Sequence, residues 1–452
     1  MSKSNVTDMT VGSPIKHLLK FALPLLVGNL FQQLYNMVDS IVVGNYVGLD
    51  ALAAVGNCST PCYLAFSLSS GLAIGIGVVV AQYFGARDDQ NVRVTIANSF
   101  YILIVVSLVV SLTGYFLTPM LFRLLKTPGK VLEYSIVYMR VNFLGIIGIA
   151  MYNGVFSILR ALGDSRTPLY FLMVASVMNV VLDLIFVLTF HMDVFGVALA
   201  TVISQVISAI LCFFYAYTKV PYFQLRRKEL KPNRKIIIIS FKTGVPIALQ
   251  NSIIAISGMV LQGFVNTFGE NVMGAFTIVK RIEMIVHQPF TSLGAALTTF
   301  TGQNIGARKV NRVKKGFLQA TIMALIFSLC LIPVVYLFGK PIAGLFVDKQ
   351  EVINITYQAL RISSLSYFAL GMIYVPRSLL NGCGDTKFAL VNGSCEVGCR
   401  IMFAPIFTSI PQLGYLGLWV TQVATWVTTA MVCVIRYFSG VWKKKGIGED
   451  NQ

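Results

Sequence analysis

The chain has 452 residues, of which 56% are hydrophobic and only 12% are charged, and its formal net charge is +18. Soluble domains are roughly 25% charged, so this composition excludes a soluble globular protein and indicates that lipid surrounds most of the chain. The basic excess does not indicate nucleic-acid binding, because the Lys and Arg residues are clustered in alternate connections between apolar segments.

Apolar stretches, taken in chain order, predict twelve membrane spans with six in each half. A helix needs about 20 apolar residues to cross a bilayer. The first half provides stretches at 18–42, 52–82, 93–118, 131–159, 168–190 and 194–218. The second half provides stretches at 236–266, 272–302, 314–338, 352–380, 388–409 and 414–440. The predicted fold is therefore an all-α polytopic membrane protein.

The two halves repeat each other at a constant offset of 221 residues. The segment 82–87 recurs at 303–308, and Gly163 falls on Gly384. Because each half has an even number of spans, both enter the membrane from the same side, and the repeats are parallel, with a pseudo-two-fold axis along the membrane normal. The predicted organisation is an N-lobe at 1–218, a cytoplasmic linker at 219–235, a C-lobe at 236–440 and a cytoplasmic tail at 441–452.

The distribution of Lys and Arg predicts the orientation of the chain. Basic residues concentrate in the linker and after spans two, four and eight, whereas the connections at 48–50 and 191–193 are short and poor in them. The positive-inside rule therefore predicts cytoplasmic N- and C-termini. The polar N-terminus leads directly into a full-length span without a cleavable signal. These features and the compact loops are typical of a prokaryotic plasma membrane (cell inner membrane) protein.

Ionisable residues inside spans are costly in lipid and are therefore candidate functional residues. Asp39 lies in span one, Asp183 in span five with Asn179 one turn before it, and Thr201 in span six. At 1.5 Å per residue Asp39, Asp183 and Thr201 lie roughly 6–10 Å below the predicted outer ends of their helices. Two carboxylates, an amide and a hydroxyl at similar depth suit a proton or Na⁺. In the alternative interpretation, Asp39 faces an outer loop and Asp183 caps a polar helix contact.

The two acids suit a coupling role. Two ionised carboxylates in an apolar environment repel each other, and a bound cation relieves that repulsion. A difference in free energy between charged and neutral states can then bias a conformational equilibrium. Pro24 lies upstream of Asp39 in the same span and permits a bend.

The second half does not keep these acids and carries a different set of polar residues in spans eight and eleven. This possible C-lobe network comprises Lys280, Arg281, Glu283, Glu396 and Arg400. Glu396 and Arg400 are one turn apart and can pair within their helix. A structural salt-bridge network and contact with a substrate in a cleft between the halves are both compatible with this set.

No cofactor is expected apart from a coupling ion, H⁺ or Na⁺. The cysteine pairs at 58 and 62 and at 395 and 399 are one turn apart, but no His stands near either pair, so no structural metal is expected. No nucleophile–base pair is visible, and we expect a protein that is not an enzyme.

The chain resembles, over essentially its whole length, the multidrug and toxic compound extrusion (MATE) family of cation-coupled antiporters. Leu23-Pro24 and the run 35–44 resemble the first helix of that family. The segments 82–87, 303–308 and 160–168 resemble its cytoplasmic loops.

The resemblance implies specific roles for five residues. Asp39, Asn179, Asp183 and Thr201 match the N-lobe cation site of the family, and Pro24 matches the proline that allows its first helix to bend. Some branches also use an acid in helix seven, but span seven has none before Glu270 at its outer end. A C-lobe cation site of that kind is therefore not implied.

The implied function is secondary active efflux of amphipathic, often cationic, organic compounds in exchange for H⁺ or Na⁺, by rocking of two lobes. The implied partners are those small molecules and membrane lipids; we expect a monomer without a nucleic-acid partner. The nearest alternative is a lipid-linked precursor flippase of the same broad superfamily, which often has extra spans and a more cationic cleft. The Gly-Asp loops after spans four and ten disfavour a major-facilitator transporter.

Overall fold

The computed structural model describes residues 5–446, and their regular structure is entirely helical. The first half of the chain forms α1 (Pro14–Val42), α2 (Leu49–Gly85), α3 (Asp89–Leu124), α4 (Gly129–Ala161), α5 (Arg166–Leu184) and α6 (Asp193–Lys219). The second half forms α7 (Arg234–Val265), α8 (Glu270–Gly306), α9 (Val310–Gly344), α10 (Gln350–Ser364), α11 (Tyr367–Cys383), α12 (Lys387–Thr408) and α13 (Gly417–Phe438). The predicted tail begins with a 3₁₀ turn at Val441–Lys444, and 447–452 lie outside the described residues.

Every predicted span falls on helix, and eight helices are long and apolar enough to cross a membrane by length and composition. The remaining helices are α1, α8 and α12, which carry Asp39, Glu283 and Glu396, and the short α10 and α11. An acid within a span does not by itself remove the apolar signal, because α5 carries Asp183 and is among the eight.

Predicted span ten is not one helix, because α10 ends at Ser364 and α11 begins at Tyr367. The hydroxyl of Ser364 donates to the carbonyl of Arg361, and that of Ser366 donates to the carbonyl of Ser363. Serine side chains that bond to nearby carbonyls compete with the helix ladder. This run of serines accounts for a break in a segment that lacks glycine and proline.

The chain divides into two compact units. Unit 1 comprises the chain up to Val11 together with Leu23–Leu249, and unit 2 comprises Gly12–Ala22 together with the chain from Gln250 onward. Helix α1 contributes residues to both units, as does α7.

The backbone of each unit repeats the other's local features. Helices α2 and α8 each have 37 residues and follow a glycine with positive φ, Gly48 at 120° and Gly269 at 84°. Arg87 and Arg308, which follow these helices, adopt left-handed φ values of 61° and 58°. A non-glycine residue rarely adopts this conformation, so its recurrence at the same offset supports the duplication.

Helices α3 and α9 occupy equivalent positions in the two repeats and are both poorly buried. Only 22% of the span window of each is buried within the protein. Phe116 of α3 is 70% exposed and Leu337 of α9, 221 residues later, is 71% exposed. Exposed apolar side chains of this size are what a lipid-facing helix presents.

The linker after α6 packs along α3 within unit 1. The hydroxyl of Tyr222 donates to Asp89 at 2.9 Å, and that of Tyr101 donates to the carbonyl of Leu230 at 2.8 Å. The backbone N–H of Asn233, just before α7, donates to Asn98 Oδ1 at 2.9 Å. Side chains of α3 therefore hold the linker at its start, middle and end.

Glycines of α2 permit a close approach to α7 inside unit 1. A Cβ added to Gly71 would overlap the backbone of Ala248, and one added to Gly75 would overlap the backbone of Gly244. Small residues at this spacing are typical of tightly packed membrane helices. The glycine-rich stretch of span two is therefore a helix-packing surface.

We predict that Gly75→Ala lowers stability, because the new methyl group forces the two backbones apart. Overpacking of this kind costs about 1–3 kcal/mol, which thermal unfolding of the purified protein in detergent measures as a lower midpoint. Gly56→Ala is the matched control, since it lies in the same helix and its Cβ would meet no atom within 4 Å. Equal midpoints for the two variants would contradict the close contact.

Candidate functional site

Three helices of unit 1 bring the predicted site residues to one level. Asp39 lies in the last turn of α1, Asp183 in the last turn of α5, and Thr201 nine residues into α6. Asn179 precedes Asp183 by one turn on the same face. The structure therefore brings together all four predicted site residues.

An apolar cluster next to this level explains why the polar residues converge. Val43 is the first residue of a π-helical turn that follows α1, and Val187 lies in a π-helical turn that follows α5. Both valines pack with Val194 and Val197 of α6 and with Ala51 of α2. Each polar residue lies four positions from one of these valines: Asp39 from Val43, Asp183 from Val187, and Thr201 from Val197. The valine layer thus fixes the helix ends, and the polar layer lies one turn away from it.

The Asn179 amide links the helices of the site. In the orientation that satisfies both of its ends, its nitrogen donates to Asp183 Oδ2 at 3.1 Å and its oxygen accepts from Thr201 Oγ1 at 3.3 Å. Asp183 is fully buried and Asn179 is 2% exposed. Because buried polar groups require partners, this amide fixes the position of Asp183.

The two carboxyl groups lie within direct interaction range of each other. Ionised carboxylates only accept hydrogen bonds, so a hydrogen bond between the two requires a proton on one of them. The Oδ1 atoms of Asp39 and Asp183 are both buried, and no donor within residues 5–446 reaches either. A proton or a small cation would satisfy these oxygens, so the residues present fit the predicted coupling ion.

Two tyrosines belong to the site although the sequence analysis did not include them. Tyr35 of α1 lies beside Thr201, and Tyr138 of α4 lies within electrostatic range of Asp39. Tyr35 could have been found, because it stands one turn before Asp39. No local pattern marks Tyr138, whose position depends on the packing of α4.

In unit 2 only part of the predicted polar set forms a network. Arg400 pairs with Glu396 at 3.0 Å, as the one-turn spacing predicts, and donates to Ser257 Oγ at 3.0 Å. Gln422 Nε2 donates to Glu283 Oε2 at 2.6 Å, and Glu283 lies within electrostatic range of Arg400.

Lys280 and Arg281 do not join this network. Both side chains are exposed and form no salt bridge within the described chain. His287, one turn after Glu283, contacts the Tyr374 hydroxyl at 3.1 Å and lies edge-on to Trp426. Lys280 and Arg281 are therefore exposed although Glu283, two residues after Arg281, is buried. Their spacing in the sequence does not predict this difference.

Comparison with known proteins follows the same two-part pattern. A model of the MatE family matches residues 24–185 and again 246–406. The chain is 27% identical over 435 residues to Probable multidrug resistance protein YoeA of Bacillus subtilis (strain 168), with 94% of each chain covered. It is 29% identical over 440 residues to Probable multidrug resistance protein YpnP of the same strain, with 96% of this chain and 97% of the relative covered.

Solved structures agree over nearly the whole chain. A MOP superfamily transporter from Pyrococcus furiosus Vc1 (DSM3638) superposes with a TM-score of 0.92 at 26% identity, covering 98% of this chain and 100% of that one. An outward-facing MATE family transporter of the same superfamily gives 0.91 at 26% identity, with the same coverage. These likenesses confirm the predicted fold class, an all-α polytopic membrane protein with twelve spans in two homologous six-helix lobes.

We predict that Glu396→Leu destabilises the protein more than the double variant Glu396→Leu/Arg400→Leu. Removing one partner of a buried ion pair leaves an uncompensated charge and costs about 3 kcal/mol, whereas replacing both with apolar residues is often neutral. Thermal unfolding of the two variants and the wild type in detergent measures the difference. A double variant less stable than the single one would contradict the ion pair as the main role of Arg400.

Proposed function

This chain belongs to the MatE family of multidrug efflux transporters, and on that premise we propose that it is a secondary active antiporter. It exports amphipathic, often cationic, organic compounds in exchange for H⁺ or Na⁺. The observation that carries this proposal is the convergence of Asp39, Asn179, Asp183 and Thr201 from three helices of unit 1.

The carboxyl pair supplies a physical reason for coupling. When both carboxylates are ionised they repel each other and are poorly solvated, and a bound proton or Na⁺ removes the repulsion. A conformation that brings the two acids together therefore binds the cation better than one that separates them. That difference in affinity shifts the conformational equilibrium, and coupling free energies of this kind are typically about 1–3 kcal/mol.

Helix α1 is the proposed moving element. It carries Asp39 at its end and Pro24 in its interior, and a proline removes one hydrogen bond of the helix ladder and permits a kink. Cation binding at Asp39 would then change the bend of α1, and the lobes at 1–218 and 236–440 would rock to alternate access to the substrate. The protein acts as a monomer in this proposal.

The substrate class and the location rest on two further observations. The relatives are named multidrug resistance proteins, which supports small organic compounds as cargo. The concentration of Lys and Arg in alternate connections supports cytoplasmic N- and C-termini. The compact loops and the bacterial origin of these relatives support a prokaryotic plasma membrane.

We predict that Asp39→Asn abolishes gradient-driven transport, because a neutral side chain cannot exchange a cation. The assay is flux of a fluorescent cationic dye in proteoliposomes under an imposed proton gradient, without and with sodium, and the sodium comparison identifies the ion. Asp50→Asn is the matched control, since Asp50 is an exposed acid in the first turn of α2.

Three outcomes separate the alternatives. Dye movement that Asp39→Asn abolishes and Asp50→Asn preserves is the expected result. Movement that survives Asp39→Asn would keep the transporter and reject the site. If no dye moves under any gradient, drug antiport fails and the lipid-linked precursor flippase becomes the better hypothesis.

A further inference from the structure

Unit 2 contains a buried carboxyl group, that of Glu283, with one oxygen that has no hydrogen-bond donor in the described chain. Glu283 of α8 is 6% exposed. Gln422 of α13 donates to its Oε2 at 2.6 Å, whereas its Oε1 is buried without a hydrogen-bonding partner among residues 5–446. An ionised carboxylate offers about four acceptor positions, and leaving them unmet in a buried site is costly.

This carboxyl group lies beside the break between α10 and α11. The Ser363 hydroxyl, in the last turn of α10, lies close to the Glu283 carboxyl group, and Tyr367, the first residue of α11, lies within its electrostatic range. The Tyr367 hydroxyl is also buried without a partner in the described chain. Irregular backbone at membrane depth is tolerated where protein or a cavity surrounds it, and interrupted helices are where transporters bind ions.

The charged groups around Glu283 do not balance the negative charge of its ionised carboxylate. From α12, Arg400 faces it, but Arg400 is already paired with Glu396. From α11, Tyr367 lies within electrostatic range of Glu283, whereas Arg377 lies over the Tyr374 ring. Arg361 of α10 lies over the Tyr336 ring, and His287, one turn along α8, contacts the Tyr374 hydroxyl. Glu283, Glu396 and Arg400 together therefore carry one uncompensated negative charge when Glu283 is ionised and none when it is protonated.

A proton suits this site better than a metal cation. The Arg400 guanidinium opposes a second positive ion held among the same oxygens. A proton on Oε1 instead turns the unpartnered acceptor into a donor, and the Tyr367 oxygen, which also has no partner in the described chain, lies within its electrostatic range. Gln422 continues to donate to Oε2 in either state.

We propose that Glu283 is a second proton-binding site, which takes up and releases a proton during the transport cycle. The use of that proton for export rests on the proposed antiport, but its binding does not. The site is distinct from the helix-seven acid of other branches, because its residues come from α8, α10, α11 and α13.

The test is infrared difference spectroscopy of the purified full-length protein in detergent, between alkaline and acidic buffer. Protonated carboxylic acids have a carbonyl-stretch band that carboxylates lack. We expect the wild-type spectrum to contain a component of this band that Glu283→Gln removes and that Asp39→Asn and Glu270→Gln retain. The Asp39–Asp183 pair contributes a component of its own, which Glu283→Gln leaves in place. Glu270 is an exposed acid in the first turn of the same helix, which makes it the matched control.

A second variant keeps the proposal testable if Glu283→Gln does not fold. Gln422→Leu removes the 2.6 Å hydrogen bond to Oε2, so it shifts the frequency of the Glu283 band. A Glu283→Gln spectrum that superimposes on the wild-type spectrum overturns the proposal, as does Gln422→Leu with every carboxyl band unmoved. If the band behaves as expected but no dye is transported, the antiport proposal fails and the proton site stands.

Discussion

The central constraint on this structure is that lipid tails cannot hydrogen-bond or solvate a polar side chain. Water is absent from the bilayer core, so each ionisable side chain in a span must find its partners within the protein. The two units meet this requirement differently. Unit 1 surrounds its acids with neutral dipoles, the Asn179 amide and the Thr201 hydroxyl. Unit 2 instead places a cation, Arg400, beside Glu396 and within electrostatic range of Glu283.

These two solutions have different consequences for chemistry. An ion pair such as Glu396–Arg400 is neutral in itself and changes little when the proton or sodium concentration changes. A carboxyl pair held by neutral dipoles has no such internal compensation, and its charge depends on what binds. Glu283 combines both situations, because its neighbouring cation is already paired and one of its oxygens has no donor.

Hydropathy predicted the number and order of the spans because apolar length is a property of the sequence itself. It did not predict the break in span ten, since Ser364 and Ser366 interrupt the helix through hydroxyl bonds to the backbone, and serine is compatible with a helix elsewhere in this chain. The π-helical turns after α1 and α5 were also missed. Nothing in the sequences of these turns, Val43–Val47 and Ile185–Thr189, distinguishes an i→i+5 bond from an ordinary helical one.

Counting residues from the helix ends found Asp39, Asn179, Asp183 and Thr201, because depth along a straight helix follows directly from sequence position. The same one-dimensional reasoning predicted the Glu396–Arg400 pair. It failed where rotation about the helix axis matters, as with Lys280 and Arg281, which are exposed whereas Glu283 is buried. Contacts between distant segments, such as Gln422 with Glu283, need the tertiary structure.

The interrupted helix also shows how the two copies of the duplicated half have diverged. The first-half counterpart of α10 and α11 is α4, a single helix of 33 residues, and Ser363 and Ser366 fall on its Asn142 and Gly145. The same segment of the duplicated half is thus one continuous helix in the first copy and two helices joined by a turn in the second. Duplication produced two copies of one six-helix architecture, and serines that bond to the backbone in the second copy introduced a point of bending that the first copy lacks.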